Sequence, residues 1–141
     1  MSEAFRFPVR VYFEDTDAGG VVYYANYLKF YERTRSEWLR SLGISQQQLA
    51  RDSQILFVVR NVRVDYYRSA VLDDMLTVTL SIAKLRGASI EFEQKIIRND
   101  GVLCSSCQVT IACVNANKMK PAAFPKEILE RFKKASLFSE S

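Results

Sequence analysis

The residues best suited to chemistry lie in one short stretch, 15–27, which reads DTDAGGVVYYANY. Two carboxylates, Asp15 and Asp17, are followed by Gly19 and Gly20 and then by an aromatic-rich segment with helical periodicity. The free N–H groups at the start of a helix carry partial positive charge. A carboxylate beside them could act as a general base or as a nucleophile while the amides hold a developing oxyanion. This combination suits acyl transfer.

The chain contains no histidine, which narrows the possible chemistry. Ser-His-Asp and Cys-His catalytic sites are excluded, as are His-rich catalytic zinc sites and hydratases that depend on a His–carboxylate pair. Carboxylates, lysine, tyrosine, cysteine and backbone amides remain as catalytic groups. We therefore expect a site that needs neither a metal nor a cofactor.

Length and composition indicate one globular domain, 1–141, with a net charge of +4. This charge favours anionic partners in general and does not by itself indicate nucleic acid. The three cysteines and the absence of a secretory segment or an apolar membrane span predict a reducing, cytoplasmic setting. Cys104 and Cys107 are three residues apart in a predicted strand, so we expect them on opposite faces rather than as a metal or redox pair.

A long helix and five strands are predicted from the hydrophobic periodicity. Apolar residues at helical spacing indicate a helix from Tyr24 to Leu42 that ends at Gly43. Ser45 and Gln48 form a capping box that begins a short second helix. Segments in which apolar and polar residues alternate predict five strands, at 5–13, 58–66, 76–82, 90–96 and 107–113.

Turns and chain ends complete this arrangement. Turn signals at 73–74, 86–88 and 99–101 are short, so the strands they join should be antiparallel neighbours. A last helix is predicted at 126–134 with Pro125 at its N1 position, and residues 136–141 are expected to fray. The predicted fold class is α+β, with a five-stranded antiparallel sheet wrapped around a long central helix.

The same residues carry a family resemblance. The segments 15–23 and 30–33 resemble the signature of the YbgC-type, 4-hydroxybenzoyl-CoA-thioesterase-like hotdog family. Segments 72–74, 86–89 and 118–121 resemble its later landmarks, in the same order. The resemblance covers nearly the whole chain. It implies a hotdog fold, a homodimer that pairs sheets edge to edge, usually two dimers per tetramer, and hydrolysis of acyl-CoA thioesters at the subunit interface.

On this basis Asp17 is the expected catalytic group, as a general base or as a nucleophile. Asp15 is expected to be structural, as a turn or capping acceptor. Tyr24 should lie in the first helical turn, where its backbone N–H is the candidate oxyanion donor, with Val22 or Tyr23 beside it. Many members of the family carry His at this position and the 4-hydroxybenzoyl-CoA branch carries Tyr, which indicates that the amide is the functional part.

Further residues are expected to bind substrate. Gly19 and Gly20 allow close approach of substrate to the backbone, and Ser89 is expected to face the Asp17 pocket of a second subunit. The candidates for the CoA phosphates, whose alternative role is solvated surface charge, are Arg60, Arg86, Lys118 and Lys120.

Glu32 is a rival catalytic carboxylate, although an ion pair with Arg33, Arg35 or a second subunit is the expected role. Trp38, Tyr27 and Tyr31 are expected in the core, with pocket lining as their alternative role. The sequence does not define the acyl group.

Two other functions remain open. The YbgC group is associated with the Tol–Pal envelope region and with lipid enzymes linked to acyl carrier protein. A non-catalytic adaptor that binds acyl carrier protein in envelope phospholipid metabolism is therefore the alternative to a thioesterase, because an acidic carrier suits a mildly basic surface. The hypothesis that the protein is a small nucleic-acid-binding module rests only on a pI near 9.0, and we expect no nucleic-acid partner.

Overall fold

The computed structural model describes residues 4–135, 137 and 138. Five strands and three helices follow the chain in this order: β1 (Phe5–Arg10), α1 (Asn26–Ser41), α2 (Gln46–Gln48), β2 (Ile55–Tyr66), β3 (Met75–Leu85), β4 (Ser89–Arg98), β5 (Leu103–Asn115) and α3 (Lys126–Lys134). A 3-10 turn at Phe13–Asp15 precedes α1, and a π-helical turn at Leu49–Ser53 follows α2.

The strands form one antiparallel sheet in the order β1-β3-β4-β5-β2. β3, β4 and β5 are consecutive neighbours because their connections are short. β1 and β2 therefore lie at the two edges. This arrangement confirms the predicted α+β class and the five-stranded antiparallel sheet.

α1 packs its apolar face on one side of the sheet, so the helix is buried as predicted. The Trp38 ring stacks on Phe132 with centroids 5.3 Å apart and meets Phe92 edge-on at 5.4 Å. Towards the start of the helix, the Tyr31 hydroxyl donates to Ser105 Oγ over 2.7 Å. Burial of large aromatic side chains and this buried hydrogen bond fix the position of α1 along the sheet.

The end of α1 forms as the sequence predicts. Gly43 follows the C-cap residue with a φ of 76°, a conformation that glycine adopts without strain. Arg131 of α3 donates from Nη1 to the Leu42 and Gly43 carbonyls, each over 3.3 Å. Ser45 Oγ accepts the Gln48 N–H and so caps α2.

Several predicted boundaries were wrong. β2 begins at Ile55 rather than at residue 58, β3 extends to Leu85, and β5 begins at Leu103 rather than at residue 107.

Three other corrections have a local cause. β1 ends at Arg10 rather than at residue 13, because the Tyr12 N–H bonds to the Asp15 carboxylate and closes a 3-10 turn. α1 begins at Asn26 rather than Tyr24, since residues 24 and 25 form the turn before it. Pro125 is the N-cap of α3, with a ψ of 142°, and not its N1 residue.

Two other expectations also need correction. Cys104 and Cys107 are free thiols in the same buried core, because the register of β4 and β5 shifts between Ile96 and Ile97. The predicted fraying is wrong at Leu137, whose carbonyl accepts the Ile82 N–H over 2.7 Å, and at Phe138, which bridges Ile82. The rest of the predicted tail, residues 136 and 139–141, lies outside the described residues. None of the helices within the described ranges has the length and hydropathy needed to cross a membrane.

Candidate active site

The connection between β1 and α1 folds back on itself and carries Asp17 at its tip. Thr16 and Val22 form a bridge, and the Asp17 N–H donates to the Val21 carbonyl over 2.9 Å. The Gly20 N–H donates to the Asp17 carbonyl over 3.0 Å, with a Gly20 φ of 82°. A glycine at this position allows the tight turn. The turn therefore presents the Asp17 side chain to solvent.

The base of this turn is fastened to the rest of the chain. The Val22 N–H donates to the Ala70 carbonyl over 2.8 Å, just beyond the end of β2. The Asp15 carbonyl accepts both the Tyr23 N–H, over 3.0 Å, and the Asn26 side-chain amide, over 2.9 Å. These bonds tie the carboxylate-bearing turn to the first residue of α1.

The two carboxylates have different surroundings. Asp15 is 7% exposed, and its Oδ2 accepts the Tyr12 N–H over 2.8 Å, which is the structural role that the sequence favours. Asp17 is exposed, and its Oδ1 accepts the Gly19 N–H over 2.8 Å. A side chain at position 19 would place its Cβ 3.3 Å from that oxygen, so glycine leaves the carboxylate accessible.

Two backbone amides at the entrance to α1 remain available. The N–H groups of residues 26, 27 and 28 donate to the carbonyls of residues 23, 24 and 25. Among the described residues, the Tyr24 and Ala25 N–H groups have no acceptor. The first turn of α1 carries no acidic side chain, so no residue of that turn neutralises the partial positive charge at the helix N-terminus. An anionic oxygen could therefore bind there.

The amides of the expected neighbours are already used. The Val22 N–H bonds to Ala70 and the Tyr23 N–H bonds to Asp15, so neither is free for an oxyanion. Ala25, which the sequence pattern does not single out, supplies the second free amide beside Tyr24. The 3-10 hydrogen bonds at the start of the helix decide which amides are free.

Tyrosine side chains cluster near the start of α1. The Tyr24 ring is 59% exposed and meets the Tyr66 ring edge-on at 5.6 Å, and Tyr27 stacks on Tyr66 at 5.7 Å. With Tyr67 and Arg68 they line a shallow depression of about 240 Å³. Burial raises the pKa of Tyr27 to about 12. Its phenol accordingly stays protonated at neutral pH and bonds to the Arg68 carbonyl and the Ala70 N–H.

Sequence reasoning missed the contribution of Tyr66, Tyr67 and Arg68 to this depression. The adjacent aromatic pair followed by arginine at the end of a predicted strand was the available signal. Its position beside Tyr24 depends on how β2 packs next to α1, which periodicity alone does not give.

The other predicted substrate-binding residues lie at the opposite end of the sheet. Ser89 begins β4 and is buried, and Arg86 lies in the turn before it. Lys118 and Lys120 are exposed in the turn after β5, beside the start of β2. At about 3.3 Å per residue, the length of β2 puts about 36 Å of strand between the two lysines and the tyrosine end. Ser89 lies level with Val58, or about 26 Å of strand from Tyr66. One chain therefore does not bring them to Asp17.

Arg60 and Glu32 lie between the two ends. Arg60 is exposed on the edge strand β2, where the register shifts between Val59 and Asn61. Glu32 is exposed on α1, and among the described residues it forms no ion pair within 4.0 Å with Arg33 or Arg35. The expected intrachain ion pair of Glu32 is thus not formed.

Comparison with known proteins identifies the family. The family sequence model of the thioesterase-like superfamily matches residues 11–132, which include the Asp17 turn, α1 and all strands after β1. The chain belongs to the thioesterase-like superfamily. The predicted resemblance to the YbgC-type family is confirmed by this match and by relatives that are 50% identical.

The acyl-CoA thioesterase YbgC of Haemophilus influenzae is 50% identical over 132 residues, which are 94% of this chain and 96% of that protein. The acyl-CoA thioester hydrolase YbgC of an Escherichia coli strain is 50% identical over 129 residues, 92% of this chain and 96% of that protein. The crystal structure of a probable thioesterase from Bartonella henselae superposes with a TM-score of 0.81 at 38% identity, over 87% of this chain and 100% of that chain. The hotdog fold expected of this superfamily member is therefore confirmed.

The different roles of Asp15 and Asp17 predict that replacing each one lowers the stability of the protein by a different amount. Asp15→Ala leaves the Tyr12 N–H without its acceptor beside a buried site and should lower the free energy of unfolding by about 1–3 kcal/mol. Asp17→Ala removes an exposed hydrogen bond that water replaces, so the free energy of unfolding should fall by less than about 1 kcal/mol. Urea unfolding with unchanged m-values measures both. Equal losses would contradict the assignment of Asp15 as the structural carboxylate.

Proposed function

We propose that the protein hydrolyses acyl-CoA thioesters to a carboxylic acid and CoA, with Asp17 and the free amides of Tyr24 and Ala25 as the reacting site. The predicted class of enzyme, a thioester hydrolase, is confirmed by the superfamily and by relatives that are 50% identical. The observation that carries the residue assignment is the pair of unbonded amides at the start of α1, tied to an exposed carboxylate.

The thioester carbonyl oxygen is proposed to accept the Tyr24 and Ala25 N–H groups. In one route Asp17 takes a proton from water, and the resulting oxygen bonds to the carbonyl carbon. In the other route the Asp17 carboxylate itself forms that bond, and water hydrolyses the acyl-enzyme afterwards. In both, the negative charge moves to the carbonyl oxygen, where the amides stabilise it. The C–S bond then breaks, and CoA leaves as a thiolate that needs no strong general acid.

A homodimer formed along β2 would complete this site. β2 is an edge strand whose Val59, Val62 and Tyr66 side chains are 52%, 44% and 43% exposed. Edge strands with exposed apolar side chains favour pairing with another chain. Antiparallel pairing about a two-fold axis would bring the Lys118 and Lys120 end of one copy to the Asp17 end of the other. This geometry supports CoA phosphate binding in trans.

The names of the two YbgC relatives describe hydrolysis and give no support to a non-catalytic adaptor. Acyl carrier protein as a partner, a cytoplasmic location, a Tol–Pal association, a tetramer of two dimers and independence from cofactors stay predictions.

Asp17→Asn tests the proposed base or nucleophile. Loss of the carboxylate should slow thiol release from a panel of acyl-CoAs by about 10²–10⁴-fold, the usual contribution of general acid–base catalysis. Glu130→Gln is the control, because Glu130 is also an exposed carboxylate but lies on α3, which carries none of the residues assigned to the site of either copy. Equal rates for Asp17→Asn and wild type on every substrate would refute the assignment.

A pair of substitutions at Tyr24 isolates the backbone amide. Tyr24 follows Tyr23, whose carbonyl accepts the Asn26 N–H over 2.8 Å, so it occupies the second position of a turn, which proline fits. Tyr24→Ala removes the exposed ring but keeps the N–H, whereas Tyr24→Pro removes both. Loss of an oxyanion donor should make Tyr24→Pro about 10²–10³-fold slower than Tyr24→Ala in kcat. Similar rates for two folded variants would mean that this amide does not bind the oxyanion.

Mixed dimers test the contribution of the second copy. One chain carries Asp17→Asn, and the other carries Lys118→Glu with Lys120→Glu. Co-expression should give a higher kcat/KM than either parent, because one site of each mixed dimer combines an intact Asp17 with intact lysines. If the lysines serve the Asp17 of their own chain, the mixture should show only the average activity of the parents.

A further inference from the structure

A cavity of about 200 Å³ lies between the second half of α1 and the sheet. Its walls are mainly apolar and include the four aromatic residues Phe57, Phe92, Phe124 and Phe132. It is larger than the roughly 150 Å³ apolar cavity that accepts a benzene ring. Val59 of β2 lines it and is 52% exposed, so the cavity reaches the surface at the edge strand. The proposed catalytic residues do not line it.

Among the described residues that line this cavity, which we call the Arg35 pocket, Arg35 is the one cation and Glu32 is the one carboxylate. The side chain is partly buried, and its Nη1 donates to Gln94 Oε1 over 3.0 Å. Gln94 is 1% exposed and donates from Nε2 to the Tyr31 carbonyl over 3.2 Å. The buried amide therefore holds the guanidinium in a defined orientation. A guanidinium carries five N–H donors, and the bond to Gln94 uses one of them.

Within the described parts of the chain, no carboxylate lies within 4.0 Å of Arg35. Burial lowers the pKa of the guanidinium, while the nearby Glu32 carboxylate favours its charged form without contacting it. Burial raises the pKa of Cys107 to about 11, so at neutral pH this group is an uncharged thiol. A partly desolvated cation without a contacting counter-ion is unfavourable, and an anion that enters the pocket would remove that cost.

We propose that the Arg35 pocket receives the acyl group of the thioester and that the Arg35 guanidinium binds a carboxylate at the far end of that group. The substrates are CoA thioesters of medium-length dicarboxylic acids, with an apolar stem for the aromatic walls and an anionic end for Arg35. A planar guanidinium binds a carboxylate through two parallel N–H bonds, which gives specificity as well as affinity.

This inference rests on the proposed hydrolase function and on the dimer along β2. Arg35 lies nine residues after Asn26, or about 14 Å along α1 at 1.5 Å per residue. The pocket opens at Val59, on the strand that would pair with a second copy. Antiparallel pairing brings this half of one chain towards the Asp17 end of the other. An acyl group held at that second site can then enter the Arg35 pocket.

Two substrates of equal carbon number test the inference. Adipoyl-CoA carries a terminal carboxylate where hexanoyl-CoA carries a methyl group, and thiol release gives kcat/KM for both. Wild type should favour adipoyl-CoA, and Arg35→Met should lower the adipoyl-to-hexanoyl ratio by roughly ten- to a hundredfold, the value of a hydrogen bond to a charged group. Arg35→Lys should give an intermediate ratio because it keeps the charge but loses the planar fork.

Arg40→Met is the matched control, since Arg40 lies on the same helix, is exposed and pairs with Glu37. Its ratio should equal that of wild type. A ratio that Arg35→Met leaves unchanged would overturn the inference, as would a loss of the dimer in that variant, which would make Arg35 an interface residue. Should Arg35→Met not fold, Arg35→Lys provides the comparison.

A binding measurement separates this inference from the proposed function. Adipate should raise the melting temperature of wild type more than hexanoate does, and Arg35→Lys should reduce that difference. Hydrolysis of neither thioester, with adipate still stabilising the protein through Arg35, would refute the hydrolase assignment and leave the carboxylate site standing. Hydrolysis of both with no preference and no stabilisation by adipate would refute the Arg35 pocket alone.

Discussion

The packing of α1 against the sheet is the constraint on which the candidate site depends. Trp38 between Phe92 and Phe132 fixes the second half of the helix, and the Tyr31–Ser105 hydrogen bond fixes the first half. A buried aromatic cluster tolerates little sliding, because interiors are close-packed and a shifted ring loses its contacts. The N-terminal end of α1 is thereby held at one end of the sheet, and the free amides before it are held there too.

The turn that carries Asp17 adds a second constraint. Its base is bonded on one side to Asn26 and on the other to Ala70, so the turn joins the start of α1 to the segment after β2. Asp15 accepts the Asn26 bond with its carbonyl and closes the preceding 3-10 turn with its carboxylate. Asp17 is left with a single side-chain bond, to Gly19, and remains open to solvent. One acidic residue thus builds the turn and the other is presented by it.

The two ends of the sheet carry different functional groups. The tyrosines, the free amides and Asp17 lie at one end, whereas Ser89, Arg86 and the lysines of the last turn lie at the other. The apolar edge strand β2 joins these ends and leaves its outer side unpaired among the described residues. The proposed site combines both ends and therefore needs a second copy, as does the proposed role of the Arg35 pocket, which opens on that strand.

The sequence by itself determined the elements, the fold class and the family, because period-2 and period-3.6 patterns and the 15–23 motif are local properties of the chain. It also singled out Asp17 and Tyr24 as candidates and predicted the capping residues Gly43 and Ser45, since the signal for each lies within a few residues of its own position. Only the tertiary structure decided that the Tyr24 and Ala25 amides are free while those of Val22 and Tyr23 are bonded. It alone placed Tyr66 beside Tyr24 and left Arg35 without a carboxylate partner among the described residues. These features depend on contacts between segments distant in sequence, which packing and strand register create and periodicity does not encode.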